Sequence, residues 1–208
     1  MQPSSDNQAS LRMAVDSLKR GDIIGYPTET VYGLGVDAEN ENAVTAIFLL
    51  KNRQPSEPCL LLAPDSVTIT RYVAVIPAVA EKLMDAFWPG PLTLVFQAKS
   101  RLPAMLTGPD KKAAFRISSD PVCRQLMSVY RRPLVSTSAN PSGQVPADSA
   151  QQVASYFIEK LPVILDGGVR KGKPSTVLDI SGNSPQLIRE GPVTKHMLEK
   201  ITGERIGP

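Results

Sequence analysis

Apolar positions along the chain fall into short helical and strand-like runs that take turns. Leu11, Ala14, Val15 and Leu18 share one face of a helix that Gly21 stops. Residues 23–26 predict a buried strand, ended by Pro27. Ala43, Val44, Ile47 and Leu50 mark a second helix running into Lys51. Residues 59–63 predict a strand. Val79, Leu83, Ala86 and Phe87 mark a third helix, closed by Pro89-Gly90-Pro91, and residues 92–96 form a strand rich in β-formers. A strand over 113–117, a helical face of Val122, Leu126 and Tyr130, and a strand over 133–136 follow. Asp148 is the expected N-cap of a helix carrying Val153, Phe157 and Leu161. Strands are expected over 163–165, 176–180 and 186–189. Thr194 is expected to cap a last helix holding Met197, Leu198 and Ile201.

Strands alternate with helices, which predicts an α/β domain. The last third is richer in strands and so points to a mixed sheet. The 208 residues fit one domain, expected over 8–200, with residues 1–7 and 201–208 as short polar tails. Apolar residues make up 42% and charged residues 21%, the balance of a soluble globular protein. No apolar run is long enough to span a bilayer, and the first residues lack a signal-peptide layout, so a cytoplasmic protein is expected. The net charge of +3 suits an anionic ligand and falls short of the basic stripe of a dedicated nucleic-acid binder. Cys59 and Cys123 sit in apolar runs and read as reduced core thiols. His196, the single histidine, has no partner at metal-ligand spacing, so no protein-held metal is expected.

Three stretches carry candidate chemistry. In Pro27-Thr28-Glu29-Thr30 the proline fixes a strand exit, the threonines supply donors and acceptors, and Glu29 supplies a charge. Gly33 and Gly35 permit a tight turn and close backbone approach by a ligand. The same residues also fit an ordinary strand–turn–strand. Lys51-Asn52-Arg53 ends a helical run, as a solvated cap or as a phosphate clamp with Lys51 as point charge and Arg53 as fork. Residues 136–143, Ser-Thr-Ser-Ala-Asn-Pro-Ser-Gly, crowd hydroxyls and an amide at a strand's carboxyl end, where open α/β sheets place ligands. Ser175 and Arg189 bracket a late strand. Arg116 ends an apolar strand, so its charge must point outward or meet an anion. There is no phosphate loop of the Gly-Lys-Ser/Thr type, no dinucleotide fingerprint and no Ser-His-Asp constellation.

Taken together these motifs resemble the YrdC-type threonylcarbamoyl-AMP synthase family. The match runs from about Gly21 to Gly191. It rests on Tyr26-Pro-Thr-Glu-Thr-Val-Tyr-Gly-Leu-Gly35, Lys51-x-Arg53, Trp88-Pro-Gly-Pro-Leu-Thr93, Ser136-Thr-Ser-Ala-Asn140-x-Ser-Gly143, and Pro174-Ser-Thr-Val177 followed by Arg189-x-Gly191. The resemblance implies an open, twisted, mixed sheet with flanking helices and a large concave pocket. It implies synthesis of threonylcarbamoyl-AMP and pyrophosphate from L-threonine, bicarbonate and ATP, with magnesium carried on the phosphates. The product would feed a threonylcarbamoyl-transferase complex that modifies tRNA. On this resemblance Lys51 and Arg53 are catalytic, and Lys51, Arg53, Ser138, Asn140 and Arg189 meet ATP. Thr30, Arg116, Ser136 and Ser175 hold threonine, with Arg116 on its carboxylate.

The chain departs from the family pattern in two places. Glu57-Pro58-Cys59 and Leu62 stand where many members have Asn-Pro-Leu and a histidine, and Lys112 replaces a threonine four residues before the strand arginine. Two other readings stay open. One is a module for tRNA or double-stranded RNA, using Lys111-Lys112, Arg131-Arg132 and Arg170-Lys171-x-Lys173, although aromatic residues are not interleaved with these clusters. The other is a paralogue of the same fold with weak or different carbamoyl-adenylate chemistry.

Overall fold

A computed structural model of the chain describes residues 7–52 and 59–207. Eight strands form one sheet: β1 (Ile24–Tyr26), β2 (Gly33–Asp37), β3 (Leu60–Leu62), β4 (Leu92–Gln97), β5 (Lys112–Arg116), β6 (Leu134–Ser138), β7 (Thr176–Asp179) and β8 (Gln186–Arg189). Their order is β1-β2-β6-β3-β5-β4-β7-β8. Pairs β3/β5 and β4/β7 are parallel and the other five are antiparallel, so the mixed sheet expected from the sequence is the one observed. The helices are α1 (Asn7–Arg20), α2 (Glu41–Lys51), α3 (Ser66–Ile69), α4 (Ala78–Phe87), α5 (Ala104–Thr107), α6 (Pro121–Tyr130), α7 (Ala150–Tyr156) and α8 (Lys195–Thr202). Among the described residues no helix is long and apolar enough to cross a membrane.

The two-residue alternation of the strands splits the side chains between two cores. Leu34 and Val36 of β2, Leu61 of β3, Leu94 and Phe96 of β4, Phe115 of β5 and Leu178 of β7 enter the larger core, with apolar residues of α2, α4, α7 and α8. On the opposite face Ile24, Tyr26, Leu62 and Leu134 meet α1 and α6 in a smaller core. These two helices cover only part of that face. Over β4, β5 and β7 it stays open and becomes the floor of a cavity.

Several sequence expectations need correction. Residues 33–37 form a buried strand between β1 and β6 and no tight turn. Gly35 is required by packing: a Cβ there would lie 2.6 Å from the Tyr26 ring and 3.2 Å from Val135 O. Ser136, Thr137 and Ser138 belong to β6 itself, so the loop begins at Ala139. Ser149, and not Asp148, caps α7, which ends before Phe157. Residues 163–165 form an isolated bridge to Gly25 in place of a full strand. The last residues do not trail as a polar tail: Thr202 and Ile206 are buried, and Gly207 pairs with Gln186. Cys59 and Cys123 are both buried and not joined to one another, and His196 is exposed on α8.

Candidate active site

The open half of the sheet forms a cavity of about 670 Å³. Of the predicted site residues, Thr30, Arg116, Ser136, Ser138, Ser175 and Arg189 line it. They come from segments spread over the whole chain, and the strand order brings them to one face. Arg53 lies outside the described residues, as do Glu57 and Pro58.

Arg116 is 3% exposed at the end of β5. One of its terminal nitrogens lies 3.1 Å from Glu29 Oε1 and 3.5 Å from Thr30 Oγ1. The second Glu29 oxygen accepts a hydrogen bond from the Ser118 hydroxyl, which fixes the carboxylate. Arg116 Nε is buried and has no hydrogen-bond partner among the described residues. A buried guanidinium N–H without an acceptor is costly. The sequence expectation that this charge meets an anion is thus answered partly by Glu29, which the motif reading named only as a loose charge.

Arg189 sits at the rim. Its Nε donates to Ser175 O at 3.0 Å and its Nη2 to Ser175 Oγ at 3.4 Å. Burial and the nearby positive charge of Arg116 both push its pKa down. Two guanidiniums on the lining of one cavity make it favourable to an anion. Ser175 Oγ also lies 2.9 Å from Thr93 Oγ1. Thr93 is a lining residue that the motif reading left without a role, although it ends the quoted Trp-Pro-Gly-Pro-Leu-Thr run. Gly191 packs under this corner, where a Cβ would lie 2.3 Å from Pro174 O. The spacing of Arg189-x-Gly191 therefore follows from backbone contact with the Pro174–Thr176 segment.

Ser136 Oγ accepts a hydrogen bond from Tyr26 OH at 2.7 Å. Burial pushes the Tyr26 phenol well above its ordinary range, so it remains a donor and leaves the Ser136 proton to the cavity. Thr28 and Thr30 share a hydroxyl contact of 2.8 Å. Tyr32 closes this side, its hydroxyl donating to Gly168 O at 2.9 Å and accepting from Gly167 N at 3.0 Å.

Lys51 and Asn140 do not line the cavity. The Lys51 ammonium is buried beneath it and donates to Ser138 O at 2.8 Å, to Asn140 Oδ1 at 2.9 Å and to Asn140 O. Asn140 Oδ1 also accepts from Ser138 Oγ at 2.6 Å, and Asn140 Nδ2 donates to Gln144 O at 2.5 Å. The pair builds the end of β6 and its loop. Neither predicted alternative for Lys51, a solvated cap or a point charge on phosphate, describes this buried ammonium.

One cation of each cluster considered for RNA is held by a carboxylate: Lys112 by Asp179, Arg132 by Asp37 and Arg170 by Asp120. Among the described residues no group of three or more His, Cys, Asp or Glu side chains is placed to hold a metal ion.

The family model described as telomere recombination, the Sua5/YciO/YrdC domain, matches residues 16–191. The threonylcarbamoyl-AMP synthase of Pyrococcus abyssi is 38% identical over 200 residues, covering 95% of this chain and 59% of that protein. The chain thus spans about three-fifths of the length of this archaeal relative. The threonylcarbamoyl-AMP synthase of Vibrio vulnificus is 37% identical over 186 residues, covering 88% of this chain and 99% of that protein. The crystal structure of P. abyssi Sua5 complexed with L-threonine superposes with a TM-score of 0.90 at 38% identity, over 95% of this chain and 59% of that one. With most of its length matched by sequence and by fold, the chain belongs to the Sua5/YciO/YrdC family.

Proposed function

We propose that the protein makes threonylcarbamoyl-AMP and pyrophosphate from L-threonine, bicarbonate and ATP. The observation that carries this reading is the pair of guanidiniums, Arg116 and Arg189, facing one hydroxyl-lined cavity, with Arg116 Nε buried and unpartnered. Arg116 takes the threonine carboxylate along its free edge while Glu29 holds the other side. Thr30, Ser136 and Ser175 surround the amino acid. Arg189, Ser138 and Arg53 take the nucleotide.

The threonine amine captures bicarbonate or CO2 as a carbamate. A carbamate oxygen then attacks the α-phosphorus of ATP, the bond to the bridging oxygen breaks, and pyrophosphate leaves. The nucleophile is already an anion, so this step requires alignment and charge neutralisation more than a base. Lys51 and Asn140 act as positioning residues, since they shape the strand end that carries Ser138. Magnesium enters on the phosphates. The product serves a transferase that acts on tRNA, which needs no nucleic-acid surface on this chain.

Labelled bicarbonate tests the reading. Label should appear in an adenylate only when ATP and L-threonine are both present. Label that appears with serine as readily as with threonine, or without ATP, contradicts it.

A further inference from the structure

A row of directly paired residues crosses five strands of the cavity floor: Ser136 opposite Leu60, Leu60 opposite Ala114, Ala114 opposite Val95, and Val95 opposite Asp179. All five line the cavity. Four inter-strand spacings make the row roughly 19 Å long. Its middle is apolar and its ends are polar. At the far end Lys112 Nζ donates to Asp179 Oδ2 at 2.8 Å across the intervening strand. Asp179 Oδ1 accepts from Ser181 N at 2.8 Å and from Ser181 Oγ at 2.6 Å, so the carboxylate is held from both sides. Lys112 and Asp179 both face the cavity. The protein has thus placed a compensated ion pair inside its own ligand site, where the anion site proper is built from Arg116 and Arg189.

We infer that Lys112 and Asp179 read the polar edge of the nucleotide's base, selecting adenine over guanine. The inference rests on the proposed use of ATP. A phosphate gains little at the pair, because Asp179 already neutralises the lysine there; the triphosphate belongs with Arg189, which no carboxylate pairs among the described residues. The flat, apolar faces of a purine suit Leu60, Ala114 and Val95, which leaves its hydrogen-bonding edge at Asp179. Asp179 Oδ2 has acceptor capacity beyond Lys112, and the ammonium has donors beyond Asp179. Adenine offers an amino donor beside a ring-nitrogen acceptor, which complements a carboxylate beside an ammonium. Guanine held in the same register puts a carbonyl oxygen at the carboxylate and a ring N–H at the ammonium, which opposes like with like at both positions. Rejection by an unmatched polar edge adds to rejection by shape.

Lys112 stands where the family pattern has threonine, so the pair is a property of this chain and not of the motif set. The carboxyl of Asp179 meets opposing effects: burial favours the neutral acid, and the hydrogen bonds from Lys112 and Ser181 outweigh it, so the group stays charged.

The test is equilibrium binding of ATP, GTP and 2′-deoxy-ATP, without threonine, to the wild-type protein and to Asp179→Asn and Lys112→Met. Wild type should favour ATP over GTP. Each variant should reduce that preference by about tenfold or more, the size of a lost charge-assisted contact. The preference for ATP over 2′-deoxy-ATP and the affinity for threonine should stay within about twofold, which also certifies the fold. Equal weakening of ATP and GTP, or an unchanged ratio, overturns the inference and leaves a purely structural ion pair. A change confined to the 2′-deoxy-ATP ratio overturns it in favour of ribose contact. If wild type binds ATP with this pattern but makes no adenylate, the proposed function fails and the base-reading role stands. If wild type binds no nucleotide, both fall.

Discussion

The ammonium of Lys51 donates to the side-chain oxygen of Asn140 at 2.9 Å, across 89 residues of sequence. This contact joins the end of α2 to the loop after β6, and a second Lys51 donor holds Ser138 O. Two of the three motifs that single out the chain are therefore one structural unit. Lys51→Met removes the donor from buried oxygens and keeps the apolar stem. Hydrogen bonds to a charged group contribute roughly 1.5–3 kcal/mol. For a chain of this size that corresponds to a fall in Tm of about 3–12 °C. Activity should fall with it, through both threonine and ATP. A variant of unchanged Tm that loses only ATP affinity would return Lys51 to the phosphates.

Arg116→Lys keeps a cation for Glu29 and removes the planar fork. We expect the KM for threonine to rise by about tenfold or more, with the KM for ATP changed by less than about threefold. Steady-state kinetics with each substrate varied in turn gives the split. A change confined to ATP contradicts the assignment of Arg116 to the amino acid.

Gly35→Ala drives a methyl into the Tyr26 ring from the neighbouring strand. Tyr26 cannot yield without releasing Ser136 Oγ. Overpacking of this kind costs about 1–3 kcal/mol. Urea denaturation should show that loss with an unchanged m-value, and threonine affinity should weaken with it. A neutral substitution would mean that Tyr26 is free to move and does not set Ser136.

Asp179 gives a pH dependence of known sign. Its folded-state pKa is depressed, so its stabilising effect is present above the unfolded value of about 3.9 and is lost as pH falls through the lower folded value. Asp179→Asn should therefore melt below wild type at pH 7, with the gap closing as the pH falls below the unfolded value of about 3.9. A gap that stays constant or widens in acid contradicts the ionised Lys112–Asp179 pair.

Much of the architecture was legible because most elements carry a clear period. The apolar faces of α1, α4 and α6 repeat at helical spacing, and β4 announces itself by its run of β-formers. β2 was not legible. Gly33 and Gly35 look like a turn in sequence, and the need for Gly35 appears only with the ring of Tyr26 on the adjacent strand. The site was legible as a set of hydroxyls and cations, and six of them meet in one cavity. Their division of labour was not. Whether a lysine points at ligand or at backbone oxygens depends on which distant segment lies beneath it, and local spacing carries no record of that. The same holds for Glu29 and Ser118, which stand behind Arg116 at a separation of 89 residues.

The most direct measurement is pyrophosphate release from ATP and bicarbonate, with and without L-threonine, and with serine and valine as controls. The account predicts release that depends on threonine and on bicarbonate, with little from serine or valine. Release that is indifferent to threonine, or no release from a protein that binds ATP, would contradict it.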